Sequence, residues 1–223
     1  MESQKPILYN YFRSSSSWRV RIALELKNIE YEYKAISLIK DGGEQFSEDF
    51  TKINPKQEVP ALFIDGNVLL QSLPIIEYID ETRSQEPRLL SQDPIKRAKS
   101  RAVAEIINSG MQPYQNLNVI KRVAQETQSE EKKMEWIKFY LTKGFRAIEA
   151  ALKETSGKYC VGDELSIADL CLVPQVYSAN RFNIDMSEFP NVIRVNAELE
   201  KIPAFKTAHA HRQIDTPNEL KEI

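Results

Sequence analysis

PILYNYFRSSSSWRVRIALELK, residues 6–27, begins as a short apolar run and ends as a helix, with four consecutive hydroxyls at the change. Ile7 to Phe12 carries the branched and aromatic residues of a strand, and Trp18 to Lys27 follows helical spacing. Ser14, Ser15, Ser16 and Ser17 therefore stand at the electropositive start of a helix. There the first-turn N–H groups lack intrahelical acceptors and carry partial positive charge. A thiolate or phosphate suits such a place. Tyr31 to Leu38 reads as a second strand, so these segments predict a right-handed β-α-β unit.

Further along the chain the pattern continues as α/β before changing. Ala61 to Ile64 and Val68 to Gln71 flank Asp65-Gly66-Asn67, a hairpin signal, and Ser72 is placed to cap a helix through Ile75, Ile76 and Ile79. Val59-Pro60 precedes the first of these strands; the proline has no N–H for a sheet, and the bond reads as a cis turn with its backbone facing outward. Residues 84–92 read as a linker containing Pro87. Beyond it the spacing is helical. Asp93-Pro94 is a cap followed by proline, and Ile106, Ile107 and Gly110 carry that helix on. Ser129 opens a helix in which Met134, Ile137, Leu141, Phe145, Ile148 and Leu152 recur at three- and four-residue steps up to Gly157. Ser166 to Asp169 forms a capping box with aspartate in place of glutamate. The expected organisation is an α/β domain over 1–83 and an all-α domain over 93–223.

The 223 residues are enough to bury a core without disulfides or metal. With 30 basic and 32 acidic residues the net charge is −2, which argues against a nucleic-acid partner. Two cysteines, Cys160 and Cys171, read as buried packing residues, and the reducing cytosol is the expected compartment. No run of about 20 apolar residues is available to span a membrane. His209 and His211 are two apart, but no further His or Cys supports a metal site.

Tyr11 to Leu24, together with Val59-Pro60 and Gln71-Ser72, resembles the cytosolic glutathione transferases, and within them the zeta class, the maleylacetoacetate isomerases. Further matches run over Leu38 to Gly43, Asn54 to Pro60, Gln112 to Leu117, Tyr159 to Gln175 and His211 to Leu220. One departure stands out: Ser16 occupies the position where the class usually has cysteine. The resemblance implies a thioredoxin-like N-terminal domain, a helical bundle after it, and a homodimer.

It also implies glutathione as cofactor and a small acidic electrophile as substrate. Ser14 would be the activating hydroxyl and Ser15 a second donor, while Ser16 shares the catalytic turn and Ser17 is a further donor or instead the helix cap. Lowering a thiol pKa of about 8.5 by about two units requires roughly 2.7 kcal/mol. A hydrogen bond to a charged acceptor contributes about 1.5 to 3 kcal/mol and the helix end about 0.3 to 1, so a serine and the dipole can together reach that figure. Gln45, the backbone of Val59, Gln71 and Ser72 would hold the tripeptide. Gln112 and Asn116, four apart on one helix face, would close the site, and Arg181 would grip the substrate carboxylate. Taken singly, Gln45, Gln112 and Asn116 read as solvated amides, Ser72 as a cap, and Arg181 equally well as a salt-bridge partner. The implied activity is glutathione-dependent cis-trans isomerisation of maleylacetoacetate to fumarylacetoacetate in tyrosine and phenylalanine catabolism, with transfer to small alpha-haloacids. A general detoxifying transferase and a non-catalytic binding protein on the same fold are the other readings.

Overall fold

A computed structural model describes residues 4–221. They fall into two compact units, one made of the residues up to Pro87 with those from Ile202 onward, the other of Arg88–Lys201. The first holds a four-stranded sheet of order β2-β1-β3-β4, with β1 at Ile7–Asn10, β2 at Glu32–Ala35, β3 at Ala61–Ile64 and β4 at Asn67–Leu70. β1 and β2 are parallel and so need a crossover, which α1 (Ser15–Leu26) supplies. β3 is antiparallel to both β1 and β4. Asp65 and Gly66 both take positive φ, 52° and 77°, as a two-residue hairpin turn of the primed type requires. β1 is shorter than its apolar run because Ser14 N–H donates to Tyr11 O at 3.0 Å and turns the chain away from the sheet. Val59-Pro60 is cis, as expected, and Glu86-Pro87 is cis as well.

Two more helices of this unit precede Pro87. α2 (Glu48–Ile53) buries only Phe50, which is why its sequence carries no periodic signal; Ser47 caps it through Phe50 N–H at 3.2 Å. α3 (Ser72–Thr82) buries Ile75, Ile76 and Ile79. Buried Lys27 ends α1 and pairs with Asp80 of α3 at 2.8 Å, also donating to the carbonyls of Gln85 and Pro87 at 2.7 Å each.

The second unit is helical throughout: α4 (Pro94–Asn108), α5 (Gln112–Gln115), α6 (Leu117–Thr127), α7 (Glu130–Thr155), α8 (Ile167–Arg181) and α9 (Pro190–Leu199). Asp93 caps α4 through the N–H groups of Ile95 and Lys96. α4 stops at Asn108, before Gly110. On α7 the buried face is the periodic set Ile137, Leu141, Phe145, Ile148 and Leu152. α8 is buried on nearly every side, and Asp169 in its first turn accepts from Ser166 N–H, Ser166 O–H and Cys160 N–H at 2.8, 2.8 and 2.9 Å. Burial pushes the Asp169 carboxyl up despite those bonds. The linker stretch is partly core: Leu89 and Leu90 are buried, and Leu89 O accepts from Ile167 N–H at 3.0 Å.

The reading of 93–223 as one helical domain differs from the packing at its end. From Ile202 onward, α10 (Pro203–Thr207) and the segment to Lys221 fold with the first unit, where a carbonyl and a carboxylate of this tail are acceptors for α1 and for the turn before it.

Candidate active site

Strand register gathers the predicted residues of the first unit at one end of the sheet. Tyr9 of β1 lies opposite Ala61 of β3, and Ala61 lies opposite Leu70 of β4. The chain leaving β1 toward Ser14, the chain entering β3 from Val59, and the chain leaving β4 into Gln71 and Ser72 therefore share that end. β2 runs parallel to β1 and ends beside it at Ala35. From there Ser37 N–H donates to Glu44 Oε2 at 2.7 Å and Glu44 N–H to Ser37 O at 2.8 Å, folding the loop back to bring in Gln45.

Ser14 is the N-cap of α1: its φ and ψ are −66° and 115°, and its Oγ accepts from Ser17 N–H at 3.2 Å. Ser17 is therefore not the cap. It lies inside the helix, fully buried, and its Oγ has no partner among the described residues. Capping and anion stabilisation are compatible at Ser14, because a hydroxyl oxygen can accept one bond while its hydrogen is donated elsewhere. An oxygen that already accepts an N–H becomes the better donor. Ser14, Ser15 and Ser16 are each only partly buried, and the N–H groups of Ser15 and Ser16 precede any intrahelical acceptor. Three hydroxyls and the first-turn amides are thus presented together, an arrangement able to hold a soft anion.

Gln71, not Ser72, is the N-cap of α3; Ser72 is its first residue, so the cap lies one position earlier than expected. Gln71 holds φ 68° and ψ 130°, a conformation rare for a residue with a side chain, and strain of this kind points to a functional constraint. Ser72 is buried, and its Oγ accepts from Arg19 Nη1 at 3.2 Å, which leaves its own hydrogen to donate. Arg19 itself went unrecognised in the sequence. The available signal was two arginines, Arg19 and Arg21, set within a helix whose residues Ser17 to Leu24 are all buried. Gln45 is buried rather than solvated, and its Oε1 lacks a partner among the described residues, as expected of a side chain kept for a ligand. The main chain of Val59 makes no hydrogen bond among the described residues. These unpaired groups fit an extended peptide with an anionic head, the chemistry of glutathione.

The remaining three predicted residues belong to the second unit. Gln112 is the first residue of the four-residue α5, whereas Asn116 has left the helical conformation and caps α6 through Asn118 N–H at 3.2 Å. They do not share one continuous helix face. The asparagine cap interrupts the helix that their spacing suggested. Arg181 ends α8, exposed, its guanidinium carbon 4.2 Å from the centre of the Phe182 ring. α5 is tied to α8 by a buried amide pair, Gln115 Nε2 donating to Gln175 Oε1 at 2.9 Å, which the sequence reading missed. Cys160 and Cys171 are both buried, and burial raises the Cys160 thiol well above its ordinary range. Among the described residues no group of three or more His, Cys, Asp or Glu is placed to hold a metal ion. His209 Nδ1 instead accepts from His211 N–H at 3.2 Å, and its ring meets Trp18 edge-on with centres 4.8 Å apart.

Comparison with known proteins points to one family. Residues 5–81 match the family model described as glutathione S-transferase, N-terminal domain, and residues 116–211 the one described as glutathione S-transferase, C-terminal domain. The maleylacetoacetate isomerase of Mus musculus is 55% identical over 221 residues, covering 99% of this chain and 100% of that protein. A crystal structure of maleylacetoacetate isomerase from Anaeromyxobacter dehalogenans with glutathione bound in the active site matches with TM-score 0.87 and 39% identity, over 97% of this chain and 100% of that one. The holo structure of a maleyl pyruvate isomerase, a bacterial zeta-class enzyme, matches with TM-score 0.90 and 37% identity, over 95% and 100%.

Proposed function

The chain belongs to the glutathione S-transferase family, and from that premise we propose that it is a zeta-class enzyme catalysing the glutathione-dependent cis-trans isomerisation of maleylacetoacetate. The observation that carries this reading is the set of partly buried hydroxyls at the head of α1, at the sheet end shared by Gln45, Val59, Gln71 and Ser72. Near-complete coverage of relatives bearing the isomerase name supports it. When bound, glutathione supplies a thiolate nucleophile able to add to a conjugated double bond and leave again.

The chain's own residues have distinct tasks. Ser14 donates its hydroxyl hydrogen to the sulfur and keeps it ionised, with Ser15, Ser16 and the amides of the first turn as supporting donors. Ser72, oriented by Arg19, and the first-turn amides of α3 take the γ-glutamyl carboxylate. Val59 pairs with the peptide main chain in the manner of an added strand, and Gln45 turns its unpartnered amide oxygen to a ligand N–H. Ser17, fully buried within α1, keeps a hydroxyl without a partner among the described residues and is the further donor of this turn. From the second unit, Gln112 and Asn116 contact the cofactor and Arg181 holds the acidic substrate by its planar fork. The first unit is then the cofactor domain and Arg88–Lys201 the substrate domain, in a cytosolic homodimer that also acts on small alpha-haloacids. These last assignments rest on family membership.

One observation favours a second reading. Ser16 stands where, by resemblance to the class, a cysteine is usual, and a hydroxyl of far higher pKa in place of that thiol would weaken isomerisation relative to general conjugation. Maleylacetone isomerisation measured with and without glutathione, beside conjugation of a chloroaromatic acceptor, separates the two. Glutathione-dependent isomerisation is expected; strong conjugation without isomerisation refutes the first reading.

A further inference from the structure

Phe12, two residues before Ser14, is held by both of its polar backbone groups. Its N–H donates to Asp215 Oδ2 at 2.9 Å and its C=O accepts from Arg21 Nη2 at 2.9 Å. Arg21 also reaches Asn10 Oδ1 at 3.0 Å, Tyr11 O at 3.4 Å and, through Nε, Ala208 O at 3.1 Å. We propose that Asp215, acting through Phe12 and in concert with Arg21, is a positioning residue that sets where the Ser14 hydroxyl stands. The inference rests on the role given to Ser14 above and adds to it a part of the chain 203 residues away in sequence from the turn it controls.

Several features make this a built clamp and not a fraying tail. Tyr33 of β2 donates its O–H to the other oxygen of Asp215, so the carboxylate spans β2 and the β1–α1 turn. Burial is the main reason the Tyr33 hydroxyl is held as a donor, far above its usual range; its bond to Asp215 adds to this. The tail beside Asp215 is itself anchored. Buried Gln213 donates to the carbonyls of Thr207 and His209 at 2.9 and 2.8 Å, and buried Thr216 donates to Ala210 O at 2.6 Å. Ser14 N–H closes the turn onto Tyr11 O at 3.0 Å, so a shift at Phe12 passes directly to Ser14. An unpaired guanidinium could not be kept inside the first unit, and Arg21 is fully buried with Asp215 as its nearby counter-charge. Tyr31 and Tyr33, the other titratable groups facing it, stay neutral at physiological pH.

The sign of one measurement separates positioning from charge. By charge alone, removing a carboxylate near the site would lower the pKa of a bound thiol; by misplacing Ser14 it would raise it. The full-length protein is compared with Asp215→Ala, Asp215→Asn and Tyr33→Phe, with circular dichroism and Tm reporting the fold. Amide exchange at Phe12 is read without glutathione, and ultraviolet titration of the thiol and kcat and KM are read with it. Asp215→Ala is expected to speed Phe12 exchange at least about tenfold. It should also raise the bound-thiol pKa and cut kcat on the order of ten- to a hundredfold, the scale of an ångström of misplacement, with KM for glutathione moving far less. Asp215→Asn, which retains an acceptor for Phe12, should recover most of kcat. If Asp215→Ala does not fold, Tyr33→Phe serves: it keeps every charge, and it should shift exchange and thiol pKa in the same directions by smaller amounts. A folded Asp215→Ala protein with unchanged or lowered thiol pKa overturns the proposal, as does a Tyr33→Phe protein unchanged in both readouts. A wild-type complex whose thiol remains protonated at neutral pH defeats instead the role given to Ser14.

Discussion

Replacing Ser14 by alanine separates two functions that one oxygen performs. As the cap of α1 it accepts from Ser17 N–H at 3.2 Å, a contribution of about 1 kcal/mol to stability. As donor to a bound thiolate it supplies a charge-assisted bond of about 1.5 to 3 kcal/mol, equivalent to a pKa rise of about 1.1 to 2.2 units on its loss. From a starting value of about 6.5, two units below a free thiol, the bound group would move to about 7.6 to 8.7. At pH 7 its ionised fraction would fall from about three quarters to between about 0.2 and 0.02, a loss of about fourfold to fortyfold in rate from ionisation alone. Near pH 9 most of the thiol ionises in both proteins, so the ratio of rates must shrink as pH rises. The assay is a pH profile of kcat/KM for maleylacetone isomerisation, beside ultraviolet titration of the complex and urea unfolding without ligand. A Ser14→Ala enzyme with unchanged thiol pKa and a rate deficit constant across pH would refute the reasoning, moving the role to Ser15 or Ser16.

Lys27→Met removes the ammonium paired at 2.8 Å with buried Asp80 and its two hydrogen bonds to the carbonyls of Gln85 and Pro87. Urea unfolding should show a loss of about 3 to 5 kcal/mol, and a loss under about 1 would mean the pair contributes little. Gly144→Ala would set a methyl group 2.2 Å from Met111 Cγ; overpacking of about 1 to 3 kcal/mol should outweigh about 1 kcal/mol of helix propensity, so Tm is expected to fall. Asp65 is held down to about 2 by hydrogen bonds from Arg83 and then Tyr78, at 2.6 and 2.7 Å to the same oxygen. Its folded pKa lies below the unfolded value, so its contribution is fully present above about pH 4 and is lost as pH falls through about 2. Because Asp65 is partly exposed the effect is screened, and Asp65→Asn should flatten the change in urea midpoint across that window; identical profiles would exclude it.

The legible parts of the chain were those where neighbouring residues settle the matter among themselves. The Ser14 to Ser17 turn, the Asp65-Gly66 hairpin, the Asp93 and Ser129 caps and the α7 stripe all depend on bonds or spacings within a few residues. Misplacements arose where two local solutions were close. Ser72 and Gln71 compete for one cap, and Gln112 and Asn116 have helical spacing that an asparagine cap interrupts. α2 was invisible because a six-residue helix with one buried residue has no period to detect.

By itself, then, the amino-acid order determined the element types, the two-part organisation and the chemical character of the serine turn, since propensity, capping and turn preference act over short range. Its likeness to a known family carried the rest of the site. Only tertiary structure decided that Arg19 orients Ser72, that Gln45 is buried with an unspent amide oxygen, and that the last twenty described residues fold with the first unit to place Asp215 on Phe12. A buried guanidinium or carboxylate must find partners wherever the fold offers them, and those partners lie tens to hundreds of residues away, beyond the reach of any local pattern.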